Sequence, residues 1–167
     1  MEDSVIEVLV DRKVPVYIPV AYVACMILTV LSVISYFFGI GFFAIIPIII
    51  FGVLTYYIGL RRKLEYEYAY FDKELNVDVI YNMSKRKKVK NFDVTKMEIC
   101  APFGSHYLDE YKNRNGKTYD FASNKKENES QVYVMYLEGN EKIIFEPSKK
   151  MLQALYYVSP RKVIQQA

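Results

Sequence analysis

Residues 14–60 contain no Asp, Glu, Lys, Arg or His. Forty-seven consecutive uncharged residues leave no polar face, which argues against a packed core helix pair in a soluble protein. The run also has no charge to relay an ion or proton, so a transporter is not expected. Histidine occurs once, at His106, in a stretch holding Asp109 and Glu110. A metal centre needs several clustered ligands with supporting hydrogen bonds, so these three residues read as an exposed loop. There are two cysteines, Cys25 inside the apolar run and Cys100 beyond it. They are not expected to pair, neither has metal-ligand spacing, and a reducing compartment fits them. No glycine-rich phosphate loop, nucleophile elbow or pair of acids on an apolar helix occurs. No catalytic residue, cofactor or metal is therefore expected, and the chain reads as something other than an enzyme.

What charge there is lies at the two ends. Residues 61–167 carry 20 of the 22 cations and 15 of the 19 anions, a balance of +5, while residues 1–13 sum to −2. A mild positive excess suits a neighbour of anionic lipid. Acids are interspersed throughout, so nucleic acid is not expected as a partner.

A single helix of 47 residues would be about 70 Å long at about 1.5 Å per residue. The hydrocarbon core of a bilayer is about 30 Å thick, so two spans fit and one does not. Gly39-Ile40-Gly41 is the natural reversal, giving helices near 16–38 and 42–60. Tyr36, Phe37 and Phe38 mark one interface, and Tyr56 and Tyr57 the other. Pro15 and Pro19 suit the start of the first helix, and Pro47 would kink the second. Arg12 and Lys13 precede the pair, Arg61, Arg62 and Lys63 follow it, and the reversal is uncharged. These five cations are the expected topology anchors, with both termini cytoplasmic. A cleaved signal peptide is disfavoured by the length of the run and by Glu2, Asp3, Glu7 and Asp11 ahead of it. Val23-Ala24-Cys25 only partly resembles a lipoprotein site, because Tyr22 stands where a small aliphatic is wanted.

Beyond residue 63 the period changes to two. Leu64, Tyr66, Tyr68 and Tyr70 alternate with Glu65, Glu67 and Ala69, the pattern of a strand with one buried face. Turns at 72–74 and 82–84 bound a second strand, and a basic strand follows at 86–92. Further strands are expected at 97–101, at 117–123 after a loop over 103–116, at 132–138 and around 143–145. Residues 124–130 are polar and expected to be exposed, and the Asn128-Glu129-Ser130 glycosylation triplet within them is a chance match. Gly139-Asn140 is a two-residue hairpin turn. Ser148 is the N-cap of a helix that carries Met151, Leu152, Leu155 and Val158 and stops at Pro160.

Seven antiparallel strands followed by a helix is the order of the pleckstrin-homology superfold. The stretches "KLEYEYAYFDKELNVDVIYN", "SKRKKVKNFDV", "KIIFEPSKKMLQAL" and "SPRKV" resemble a family of small bacterial membrane proteins. These place a PH-like domain directly after a transmembrane hairpin. The resemblance implies an α+β membrane protein: a seven-stranded antiparallel PH-like β-barrel capped by a C-terminal helix. The family has no assigned activity, so the resemblance implies a fold and no catalytic residue.

The expected organisation is a cytoplasmic segment over 1–13, a transmembrane hairpin over 14–60 and a PH-like domain over 61–167. Lys85, Arg86, Lys87, Lys88 and Lys90 place five cations within six positions. They are the candidate contact for anionic lipid headgroups or a protein partner, against the plainer reading of a solvated strand face balanced by acids. The expected setting is the bacterial inner membrane, and the expected partners are the bilayer, its anionic headgroups, and a protein or a second copy of the chain. The alternative role is an accessory subunit of a larger membrane complex, with a membrane-bound enzyme using the 103–116 loop as the remote third.

Overall fold

The computed structural model describes residues 5–165. Glu2 and Asp3 of the acidic leader lie outside the described residues. The chain divides into two units, one of residues 14–64 with 81–85 and the other holding the remaining segments.

The first unit is a helical pair. Helix α1 (Tyr17–Ser35) leads through a π-helical turn (Tyr36–Ile40) and a 3-10 turn (Gly41–Ala44) into α2 (Ile45–Leu60). Tyr22 stands beside Gly59, and Thr29 faces Thr55 across 3.5 Å, so the two helices run antiparallel. A side chain at Gly59 would press on the Tyr22 ring, which is why the helices approach closely there. Pro19 and Pro47 each fall in the first turn of their helix. A missing N–H costs no intrahelical bond in that turn. Spans Tyr17–Phe38 and Phe42–Leu60 are long and apolar enough to cross a membrane, and almost nothing of either is buried within the chain. Every serine and threonine hydroxyl of the pair donates to a carbonyl one turn back: Thr29 to Cys25, Ser32 to Leu28, Ser35 to Leu31 and Thr55 to Phe51.

The second unit is built on two four-stranded sheets. The first has the order β1-β2-β3-β4, with β1 (Ile6–Arg12), β2 (Leu64–Phe71), β3 (Glu74–Tyr81) and β4 (Lys85–Asp93). The second has the order β5-β7-β8-β6, with β5 (Met97–Pro102), β6 (Lys117–Asp120), β7 (Tyr133–Leu137) and β8 (Glu141–Phe145). Three sequence expectations are corrected here. Among the described residues there are eight strands and not seven, because residues ahead of the helical pair form β1. Its Ile6, Val8 and Val10 alternate with Glu7 and Asp11, and Val10 is only 7% exposed. The strands are not all antiparallel, since β6 runs parallel to β8, from Lys117 opposite Glu141 to Asp120 opposite Ile144. Nor do the sheets close into a barrel, for no ladder joins them among the described residues.

Turn chemistry sets the hairpins. Asp72 and Lys73, Asn82 and Met83, and Gly139 and Asn140 all have positive φ. Two successive left-handed residues match the twist of the strands they join. Helix α3 (Lys149–Val158) starts as expected, with the Ser148 hydroxyl accepting from the Met151 N–H at 3.2 Å.

One core joins the inner faces of both sheets to α3. It holds Val10, Tyr68, Leu75, Val77 and Phe92 from the first sheet, Met135, Ile143 and Phe145 from the second, and Met151 and Leu155 from the helix. Leu137, Val134 and their neighbours make β7 apolar on both faces, and the structure shows why. The outer face of the second sheet is covered in turn by Leu108 and Tyr111 of the 3-10 segment His106–Tyr111. Beyond β5 the C-terminal segment adds a parallel bridge from Cys100 to Val163, which covers that sheet edge.

Candidate functional site

The five cations of the basic strand do not act together. Arg86 forms ion pairs with Glu67 and, at 3.7 Å, with Asp78. Lys90 pairs with Glu141, donates to the Tyr119 hydroxyl at 3.3 Å and sits over the Phe92 ring. The Glu141 carboxylate raises the pKa of its ammonium. These two positions belong to the balanced strand face. Lys87 and Lys88 are exposed and make no side-chain hydrogen bond or ion pair among the described residues. Edge strand β4 thus carries free lysines, which also discourage pairing with another sheet.

Lys85 belongs elsewhere. The segment Tyr81–Lys85 groups with the helical unit, and Lys85 Nζ donates to the Tyr56 hydroxyl of α2 at 3.0 Å. That hydroxyl raises the lysine pKa. Nearby, the Asn82 N–H donates to the Lys63 carbonyl at 2.8 Å, and the Lys63 ammonium rests 3.8 Å from the Met83 sulfur. The Arg62 guanidinium stacks over the Tyr22 ring of α1, 4.4 Å from its centre.

The helical unit therefore holds four cations, Arg61, Arg62, Lys63 and Lys85, and no carboxylate. Their partners are aromatic faces, a hydroxyl and a thioether. A cleft of about 240 Å³ opens beside Arg62, lined by Tyr22, Thr55, Tyr56, Gly59, Leu60, Arg62 and Asn82, and Lys85 reaches it through its bond to Tyr56. The Arg62 guanidinium N–H groups and the Asn82 side-chain amide have no hydrogen-bond partner among the described residues. Sequence reasoning marked Arg61 to Lys63 and Tyr56, but it missed Tyr22, Asn82 and Met83. An Asn-Met-Ser turn falling between two strands carries no sign that it meets a helix end.

The other expected anchors lie in the sheet unit. The Arg12 guanidinium donates to the Asp120 carbonyl at 2.6 Å, to the Asp120 carboxylate at 3.0 Å and to the Tyr66 hydroxyl at 3.0 Å. On either side, Asp11 pairs with Lys125 and the Lys13 N–H donates to the Ser123 carbonyl. Three successive residues at the end of β1 thereby staple the first sheet to the 120–125 segment of the second.

Buried polar groups in the sheet unit are structural. Tyr68 donates to the Phe121 carbonyl at 2.5 Å, and burial pushes its hydroxyl pKa up. Glu146, 5% exposed, accepts from the Ser123 N–H and the Asn128 amide. The Asn128 of the glycosylation triplet is thus a brace for the loop it sits in. His106 packs on Tyr107, and no group of three or more His, Cys, Asp or Glu able to hold a metal occurs among the described residues.

Two sheets and a C-terminal helix around one core, in a chain that also holds an apolar helical pair, fit a PH-like module. The chain belongs to the bacterial PH-like domain family DUF6106, whose family model matches residues 2–165. Neither a curated protein nor a solved structure matches it.

Proposed function

We propose that this protein is a non-enzymatic, membrane-anchored binding module. Its helices cross the bacterial inner membrane as a hairpin, and its PH-like unit engages a protein partner or anionic lipid at the cytoplasmic face. One observation carries the reading. Strands β1 and β2 flank the helical pair in the chain and are neighbours in one sheet. If the helices enter a bilayer, they must enter and leave on the same side. The exposed apolar flanks of both helices support insertion, as do the hydroxyls satisfied within their own helices, since lipid offers no partner for either backbone or side-chain polar groups. Arg61, Arg62 and Lys63 at one end and the uncharged reversal at the other support the cytoplasmic orientation.

Cysteine labelling tests this in a background of Cys25→Ala and Cys100→Ala. Val5→Cys, Phe38→Cys and Gln131→Cys are all exposed positions. A membrane-impermeant maleimide on intact spheroplasts should label position 38 alone, with 5 and 131 reacting only after permeabilisation. Labelling of 5 and 131 from opposite sides would overturn the hairpin.

A second reading, the accessory subunit, draws on Gly52. A side chain there would meet nothing within 4 Å, which leaves a notch on α2 for another helix. Native mass measurement in detergent separates a self-assembling protein from a subunit that leaves with its complex.

A further inference from the structure

We infer that the cleft between Arg62, Asn82 and Tyr56 is a binding site for the phosphodiester of an anionic phospholipid. The inference rests on the membrane-anchored reading above and adds to it a particular site, made by the helix ends and the tip of the β3–β4 hairpin.

Charge is the first argument. Elsewhere in the chain, Arg12, Arg86, Lys90, Lys96, Lys112, Arg114 and Lys125 meet a carboxylate, while others such as Lys87 and Lys88 stand singly on acid-bearing surfaces. The helical unit alone gathers four cations without one acid. An anion from outside the chain completes them. The donor set is the second. The Arg62 guanidinium offers a planar fork of N–H groups and Asn82 a side-chain amide, neither hydrogen-bonded among the described residues, and Lys85, beside the cleft, adds an ammonium held on the hydroxyl of the lining Tyr56. An arginine fork suits bidentate phosphate oxygens. Stacking on Tyr22 holds that fork in place, and the side chain missing at Gly59 leaves room for the ring. Third, the cleft lies at the end of two apolar helices with exposed flanks. A ligand with a phosphate head and acyl tails satisfies both surfaces, whereas a soluble anion satisfies only one.

Met83 supplies an independent observation. It is 67% exposed and sits at φ +55° in a turn position where glycine is preferred. A left-handed conformation is unfavourable for a side chain of this kind, and Met83 gains only a thioether contact to Lys63 in return. An apolar tip flanked by Lys63 and Lys85 is suited to dip among lipid chains while the cations meet headgroups.

The test uses the full chain in mild detergent, titrated with dioctanoyl phosphatidylglycerol, dioctanoyl phosphatidylcholine or inorganic phosphate, with bound ligand counted by native mass spectrometry. The anionic lipid should bind at one saturable site and the other two probes weakly. Arg62→Gln with Lys85→Gln should weaken it about 25-fold, at about fivefold per cation. The pair Lys87→Gln and Lys88→Gln should leave it unchanged. Arg62→Lys with Lys85→Arg keeps both charges but loses the fork at residue 62, so it should bind between the unaltered protein and the glutamine pair, which guards against loss through misfolding. Met83→Gly should raise thermal stability while weakening lipid retention, opposite signs that a purely structural turn would not give. Equal weakening by both glutamine pairs, or inorganic phosphate binding as well as the lipid, would overturn the inference. Labelling of positions 5 and 131 on opposite sides would instead sink the anchored reading itself.

Discussion

Removing the Arg12 guanidinium should destabilise the sheet unit, although the residue lies ahead of the helices and outside the stretch that first reads as a domain. Arg12→Ala deletes two bonds to Asp120, at 2.6 and 3.0 Å, and one to the Tyr66 hydroxyl at 3.0 Å. Charge-assisted bonds of this kind contribute about 1.5–3 kcal/mol when enclosed. Here the arginine side chain is 24% and the aspartate 37% exposed, so the ion pair itself is discounted to about 1 kcal/mol. The bond to the Asp120 carbonyl adds a similar amount, and the loss totals about 2 kcal/mol. For a unit of this size that is a fall of roughly 8 °C in melting temperature. Arg12→Lys keeps the charge and loses the fork, so it should fall midway. The assay is thermal unfolding of the full chain in detergent, followed by size-exclusion recovery. Asp120→Asn should couple to Arg12→Ala by about 1 kcal/mol in a double-mutant cycle. A melting temperature unchanged by Arg12→Ala would refute the staple and leave Arg12 as a topology charge alone.

Two further outcomes follow from the same packing. Burial pushes the Cys100 thiol from its ordinary 9.0 up to about 12, so it should resist iodoacetamide at pH 8 in the folded protein and react once unfolded. Because the fold holds the neutral thiol, the associated stability is full below pH 9 and is lost as pH rises toward about 12. Cys100→Ala should remove that part of the alkaline loss. Gly116 stands against the Asn140 backbone carbonyl, where an added Cβ would overlap it. Gly116→Ala should cost about 1–3 kcal/mol by forcing β6 away from the β7–β8 turn, read as a lower melting temperature.

Local pattern carried far in this chain. The uncharged run, its glycine-marked reversal, the hairpin turn at Gly139-Asn140 and the Ser148 cap all depend on neighbours within a few residues, and all were legible in order. Even β1 announces itself weakly, since Ile6, Val8 and Val10 keep period two. It went unread because 47 apolar residues separate it from the strand it joins, and no local signal says which distant edge a strand will fill. The parallel course of β6 was hidden for the same reason: its four residues look alike in either direction, and only the ladder to β8 decides.

The basic strand draws the line most plainly. Composition alone determined that five cations crowd residues 85–90, that an apolar hairpin precedes them and that no acid lies within it. Which of them remain free was a matter of distance in space. Glu67, Asp78 and Glu141 come from three other strands to quench Arg86 and Lys90, while Lys85 is drawn to a tyrosine on α2. A charge has a sign in the sequence, but its partner is set by folding, because the field that neutralises it falls off over a few ångströms and is blind to separation along the chain.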